Sequence, residues 1–339
     1  MRIIFSAVMS MPPFSPGSAL HRLHHILGYQ ELGHDVYFVE ETYTSSCFDE
    51  RGGATGFEGS VNERTFSRIM RTYGLADRSC LICDGGRETS GMAFDEIVKI
   101  AGKADLLINM SGHLSTGPVF DGPACRMYLD QDPVYTQLWQ AEYGSDLNFE
   151  HHDVFATLGL NIGTDTSPIP DCSIEWIHTL PPVVLNETWS EPASTGNSYT
   201  TVASWDVFGD VQFRGEWYGS RRSELVRFAG VPGLVDATFE MLVKSYEDQD
   251  EGMIRLLQDN GWSLADAGAI TDVDGYLSYI AASRGEICIA KNAYAKARSG
   301  WFSDRSANYL AAARPVIAQS TGFESSLPTG VGLLSFSSP

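Results

Sequence analysis

Ser303, Asp304 and Arg305 stand in a row between Phe302 and an alanine-rich run, with Lys291 and Arg298 shortly before them. Ser and Asp suit a helix start, because their side-chain oxygens accept from the free N–H groups of the first turn. A helix start surrounded by three basic residues suits an anionic group such as a pyrophosphate. Its open N–H groups and dipole favour negative charge, and guanidinium groups add charge-assisted hydrogen bonds. The unit that must position these residues spans Gly285–Phe336. It reads as a strand Glu286–Ala290, a loop Lys291–Phe302 and a helix from Ser303 or Asp304 to Ala313. Arg314-Pro315 ends the helix, and Val316–Gln319 is the next strand.

A second group of candidates belongs to the first half of the chain. Arg2–Val8 is nearly all apolar, the pattern of a strand buried on both faces of a parallel sheet. A Pro-, Ser- and Gly-rich loop, Met9–Gly17, follows it. Ser18 then opens a helix with Leu20, Leu23, Ile26 and Leu27 at helical spacing, and Val36–Val39 is the second strand. That order begins a doubly wound α/β domain, whose ligands lie off the carboxyl ends of the strands. His21, in the first turn of the helix, falls nearest that rim. His21 and His25 have the one-turn spacing of a metal pair, but no third ligand accompanies them, so no metal is expected. The strand Ala104–Asn109 ends at His113, and Arg126–Leu129 ends at Asp130 and Asp132, which places these three side chains on the same rim. Turn and cap chemistry ahead of a helix Val134–Tyr143 is the alternative role for the two aspartates.

Other helices are expected at Asn62–Tyr73 and Met92–Lys103, with a loop at Asp84–Gly91 and a strand at Val154–Leu158. Prolines 168, 170, 181, 182 and 192 and a polar run then suggest a linker at about 181–198. It separates an N-terminal domain, 1–190, from a C-terminal one, 199–339. The run YTTVAS (199–204) repeats the buried-strand signal, as if a second sheet begins. An aromatic loop Trp205–Tyr218 follows, and Gly219-Ser220-Arg221-Arg222 opens the helix Ser223–Ala229, again with positive charge at a helix start. Further along come a strand Phe239–Val243, a helix Met253–Asp259, a turn at Gly261-Trp262 and a helix Asp272–Ser283. Two doubly wound domains would leave a cleft that closes over two substrates and excludes water.

Composition excludes several classes. The chain has 339 residues, 23 basic against 43 acidic, for a formal charge of −20. That disfavours nucleic acid and anionic membrane as partners and makes the local cluster at 291–305 stand out. No apolar run reaches the length of a bilayer span, and MRIIFSAVMS lacks the features of a cleaved leader. The six cysteines (Cys47, Cys80, Cys83, Cys125, Cys172 and Cys288) are scattered. Buried or free thiols in a reducing, cytoplasmic compartment fit that pattern. Neither a G-x-G-x-x-G nor a G-x-x-x-x-G-K-[ST] is present, nor is a G-x-S-x-G elbow. These absences weaken the dehydrogenase, nucleotide triphosphatase and hydrolase readings.

On GSALHRLHHILGYQELGHDVYFVE, YTTVASW and above all SGWFSDRSANYLAAARPVIAQSTGFESSLPTGVGLLSF, the chain resembles a GT-B glycosyltransferase, specifically a group of bacterial GT-B-like proteins. The resemblance spans nearly the whole chain. It implies an α/β fold of two Rossmann-like domains facing across a cleft. The C-terminal domain would bind a nucleotide-diphosphate sugar as donor substrate, and the N-terminal domain an unidentified acceptor. No cofactor or metal is implied. Ser303, Asp304, Arg305 and Ser306 would face the pyrophosphate. Arg221 and Lys291 would offset charge on the leaving diphosphate, with Arg298 beside them. Thr321, Gly322 and Phe323 would face the sugar, and Trp205 belongs with the donor residues. Asn308 and Gly300 occupy positions where many members carry glutamates. The acceptor base would be His21, His113, then Asp130 or Asp132. Such enzymes usually finish with helices that cross back to the first domain, whereas this sequence ends shortly after GLLSF. A sugar-nucleotide epimerase and a catalytically silent GT-B-like partner are the alternatives.

Overall fold

In the computed structural model, residues 1–12, 14–115, 117–185, 196–243 and 251–339 are described. They form two compact units, Met1–Gln131 with Asp146–Ala156, and Asp132–Ser145 with Thr157–Pro339. Within the stretch expected as a linker, residues 186–195 lie outside the described residues.

The first unit holds β1 (Arg2–Ser6), β2 (Asp35–Thr42), β3 (Ser79–Cys83), β4 (Glu88–Gly91), β5 (Leu106–Met110), β6 (Arg126–Asp130) and β7 (Val154–Thr157). They lie in the order β4-β3-β2-β1-β5-β6-β7. β3, β2, β1, β5 and β6 run parallel. The centre is apolar because both faces are covered: Ile4, Phe5, Val36, Phe38 and Leu107 have no exposed surface. The helices are α1 (Pro16–Glu31), α2 (Val61–Thr72), α3 (Phe94–Ala101) and α4 (Gly117–Phe120). α1 starts earlier than Ser18, because Ser15 is the cap: its hydroxyl accepts from the Ser18 N–H, and Pro16 needs no donor in the first turn. The expected loop Asp84–Gly91 is a turn followed by β4, antiparallel to β3. Its polar sequence, ETSG, gives no alternation from which an edge strand is read.

The second unit begins with α5 (Tyr135–Ala141) and β8 (Trp176–His178). Its parallel sheet contains β9 (Ser198–Ala203), β12 (Thr238–Val243), β13 (Trp262–Asp266), β14 (Gly285–Cys288), β15 (Val316–Gln319) and β16 (Leu333–Phe336), in the order β13-β12-β9-β14-β15-β16. Between β9 and β12 lie the hairpin β10 (Val211–Phe213) and β11 (Glu216–Tyr218), then α6 (Arg221–Phe228). The remaining helices are α7 (Glu251–Asp259), α8 (Val273–Ala282), α9 (Asn292–Lys296) and α10 (Asp304–Ala311). Trp205, Phe228, Met241, Leu257 and Trp262 make one core cluster, and each large side chain buried there contributes roughly 1.5–3 kcal/mol. Two expected loops are ordered elements. The aromatic stretch 205–218 contains the hairpin, turning at Arg214 and Gly215 with positive φ, and 291–302 contains α9. Trp262 is no turn residue: it opens β13, and its indole donates to the Ala229 carbonyl at 2.8 Å.

Candidate functional site

Backbone ends and helix starts of the second unit converge where β9, β14 and β15 finish. Arg221, at the start of α6, binds two of those ends together. Its Nε donates to the Ile289 carbonyl and its Nη1 to the Ser204 carbonyl, both at 2.8 Å. Burial lowers its pKa to about 10, and the Arg305 charge pushes the same way. Lys291 follows β14 and is nearly enclosed. Its Nζ lies 2.9 Å from Asp132 Oδ1 and 2.9 Å from the Tyr294 hydroxyl, which itself donates to Asp132 at 2.7 Å. The ammonium also sits 4.2 Å over the Phe208 ring and 5.3 Å over that of Tyr135. Burial lowers the Lys291 pKa, and the Asp132 carboxylate opposes that shift. Asp132, expected with the acceptor candidates, is the counter-ion of Lys291.

Arg305 does not open toward a ligand. Its Nε pairs with Glu286 at 2.5 Å, its Nη1 donates to the Val202 carbonyl at 2.6 Å, and its Nη2 contacts Cys288 Sγ at 3.3 Å. Burial acts against the charged guanidinium, but Glu286 beneath it holds its pKa well above the ordinary value. Arg305, expected at a pyrophosphate, ties α10 to the sheet through these contacts. Ser303 does cap α10, its hydroxyl accepting from the Arg305 N–H at 3.2 Å. Asp304 is half-buried in the first turn, while Ser306 and Asn308 are buried.

The remaining donor-side candidates divide by how their polar groups are used. Thr321 Oγ1 donates to the Trp301 carbonyl at 2.6 Å. Phe323 packs on Phe302, and Trp205 is part of the core. These contacts give all three a part in packing. Arg298 is exposed, with positive φ; its N–H donates to the Ala295 carbonyl at 3.1 Å, and its carbonyl accepts from Asn161 Nδ2 at 2.8 Å. The same amide donates to the Gly322 carbonyl at 3.2 Å. Gly300 has φ +75, and a Cβ there would lie 2.8 Å from Leu160 Cβ and 2.9 Å from Asn161 N. The segment around Asn161 thus fills the space that a glutamate at position 300 requires. Asn161 carried no sequence signal, and neither did Tyr294 or Phe208. Also unforeseen is a buried relay in which Asn292 and Gln319 each donate to Glu224 at 2.7 Å, while Gln319 Oε1 accepts from the Ala290 N–H.

In the first unit, the carboxyl ends of β1, β2, β5 and β6 carry a different set. Glu40 is buried, and Ser10 donates to it through its N–H at 3.0 Å and its hydroxyl at 2.7 Å. Burial outweighs those donors and pushes Glu40 up to about 7. Its neighbour Glu41 accepts from the Ser115 N–H at 2.7 Å, so the end of β2 pins two rim loops. His21 is buried in α1, with Nε2 2.6 Å from the side-chain amide of Gln131. His113 is exposed, on a loop where Ser111 and Gly112 adopt positive φ. That loop is held by Asn109, whose amide pairs with the backbone of Leu114, and by His152, which contacts Asn109 at 3.2 Å. Asp130 is fully buried.

No protein-family model and no curated protein sequence matches this chain. Among solved structures, it is similar to an alpha-glucosyltransferase in complex with UDP, at a TM-score of 0.51 and 13% identity over 98% of this chain and 82% of that one. A structure of alpha-glucosyltransferase with UDP and a 13-mer DNA gives a TM-score of 0.51 and 12% identity over 98% and 81%. The catalytic domain of starch synthase IV from Arabidopsis thaliana, bound to ADP and acarbose, gives 0.50 and 11% over 97% and 85%. The fold is that of the GT-B glycosyltransferases, α/β with two Rossmann-like units.

Proposed function

We propose that this chain is a glycosyltransferase that takes a sugar from a nucleotide-diphosphate sugar and passes it to an acceptor hydroxyl or other nucleophile. The observation that carries this reading is the enclosed Lys291 at the carboxyl end of β14, held by Asp132 and Tyr294. A diphosphate offered to it replaces one carboxylate contact by several phosphate oxygens. Lys291 and the N-terminus of α10 then offset the charge that develops on the leaving group, without a metal. The second unit binds the donor and the first unit the acceptor. His21 and the exposed His113 are the bases for the acceptor, ahead of Asp130. Asp132 instead sets the charge of Lys291. The fold neighbours support the donor class through the UDP and ADP they carry. The charge of −20 argues for an acceptor other than DNA, although one neighbour was solved with it. Among the described residues, no helix is long and apolar enough to cross a membrane.

Two observations favour a second reading, a catalytically silent partner of a transferase. Arg305 is spent on internal contacts, and position 300 has no room for a side chain. The two readings part in a simple assay. The chain is incubated with UDP-, ADP- and GDP-linked sugars, and free or transferred sugar is followed by mass spectrometry. Slow donor hydrolysis is the expected outcome. No hydrolysis and no transfer from any donor would leave the silent partner standing.

A further inference from the structure

Helix α2 carries Arg64, Arg68 and Arg71, one turn apart on one exposed face, in a chain with nearly twice as many acidic as basic residues. Beside that face lies a cavity of about 670 Å³, lined by the three arginines together with Glu63, Ser67 and Ser79. The size suits a small molecule. The negative charge near it is already engaged. Glu63 accepts from the Gly59 N–H at 2.8 Å and the Ser90 hydroxyl at 3.1 Å, and Glu50 pairs with Arg64 at 3.3 Å. Arg68 lies 5.2 Å over the Phe14 ring, and Arg71 Nε donates to the Ser67 carbonyl at 3.1 Å, so both side chains are braced with guanidinium donors to spare. At the floor, the buried Ser79 hydroxyl has no hydrogen-bond partner. Ser79 is the first residue of β3, which sets the cavity toward the amino end of that strand, away from the rim that carries His113 and Asp130.

We propose that this cavity binds a phosphate-bearing small molecule at a site separate from the strand-end rim of its own unit. Arg68 and Arg71 hold the phosphate with paired N–H donors, the geometry at which guanidinium exceeds ammonium. Arg64 supplies a third, weaker contact because it shares its charge with Glu50.

Calorimetric titration with inorganic phosphate at low ionic strength tests the assignment. It is performed in a Lys291→Met background, so that phosphate held at the second unit does not enter the signal. Saturable binding is expected, weakened roughly tenfold for each of Arg68→Ala and Arg71→Ala and partly retained in the doubly substituted Arg68→Lys/Arg71→Lys chain. Arg68 and Arg71 are both exposed, and melting curves of their variants without phosphate are expected to coincide with that of the Lys291→Met background. Affinity unchanged by the double alanine substitution, or no saturable binding in the parent, would overturn the proposal.

Discussion

Two glutamates, one near the carboxyl end of β2 and one at the second residue of β14, are almost equally buried, Glu40 at 1% and Glu286 at 0% exposure. Glu286 lies under Arg305, and the pair fastens α10 to β14. Glu40 is met by the N–H and hydroxyl of Ser10, and its pKa rises to about 7. The same residue type therefore does opposite work. In the second unit it neutralises a buried cation, Arg305. In the first unit it sits at the edge of protonation, on a rim that also holds His21 and His113. Burial fixes the cost of a carboxylate charge, and the partner decides whether the charge is kept.

The sharpest way to break the comparison is to remove Arg305. Arg305→Met leaves Glu286 charged and enclosed, and the expected loss is about 3–5 kcal/mol in urea unfolding. The doubly substituted Glu286→Leu/Arg305→Met chain should recover most of it. A single substitution that unfolds like the parent would show that the pair does not hold α10.

Glu40 gives the next effect, and its sign is opposite to that of a salt-bridged carboxylate. Its folded pKa lies above the ordinary value of 4.5, so the stability it contributes is complete below that pH and is lost as pH rises through about 7. The size is about 3 kcal/mol. Denaturant curves at pH 5 and pH 8 should diverge in the parent and diverge much less in Glu40→Gln. Equal pH dependence in the two chains would remove Glu40 from the account.

Gly300→Ala is expected to cost less, about 1–3 kcal/mol, through its positive φ and the close approach of Leu160. A melting temperature identical to the parent's would mean that the segment around Asn161 yields to a side chain.

Sequence reading reached the strands whose burial is written in unbroken apolar runs. RIIFS, LLINM and VIAQ are strands β1, β5 and β15 close to where they were expected. It also reached the cap of α10 at Ser303, since that signal is local. Short, polar or two-residue-turn elements escaped: β4 has no apolar alternation, and the β10–β11 hairpin depends on Arg214 taking a conformation that its residue type does not advertise. In the candidate site, residue types were legible and directions were not. Arg305 was correctly placed at a helix start, but its side chain answers to Glu286 on β14, a contact that only the folded sheet creates. Asp132 was assigned to the acceptor rim by its place after β6, yet its carboxylate meets Lys291 from far along the chain. Thr321 and Trp205 have types that bind sugars and nucleotides equally well as they fill cores, and packing decides between the two.

The central claim is that the carboxyl edge of the second unit receives a nucleotide diphosphate through Lys291. Isothermal titration of UDP, ADP and GDP against the parent chain and Lys291→Met tests it most directly. At least one nucleotide should bind the parent, and the substitution should weaken that binding roughly tenfold or more, measured at a temperature where both chains are folded. Equal affinity in both chains, or no binding of any of the three to the parent, would contradict it.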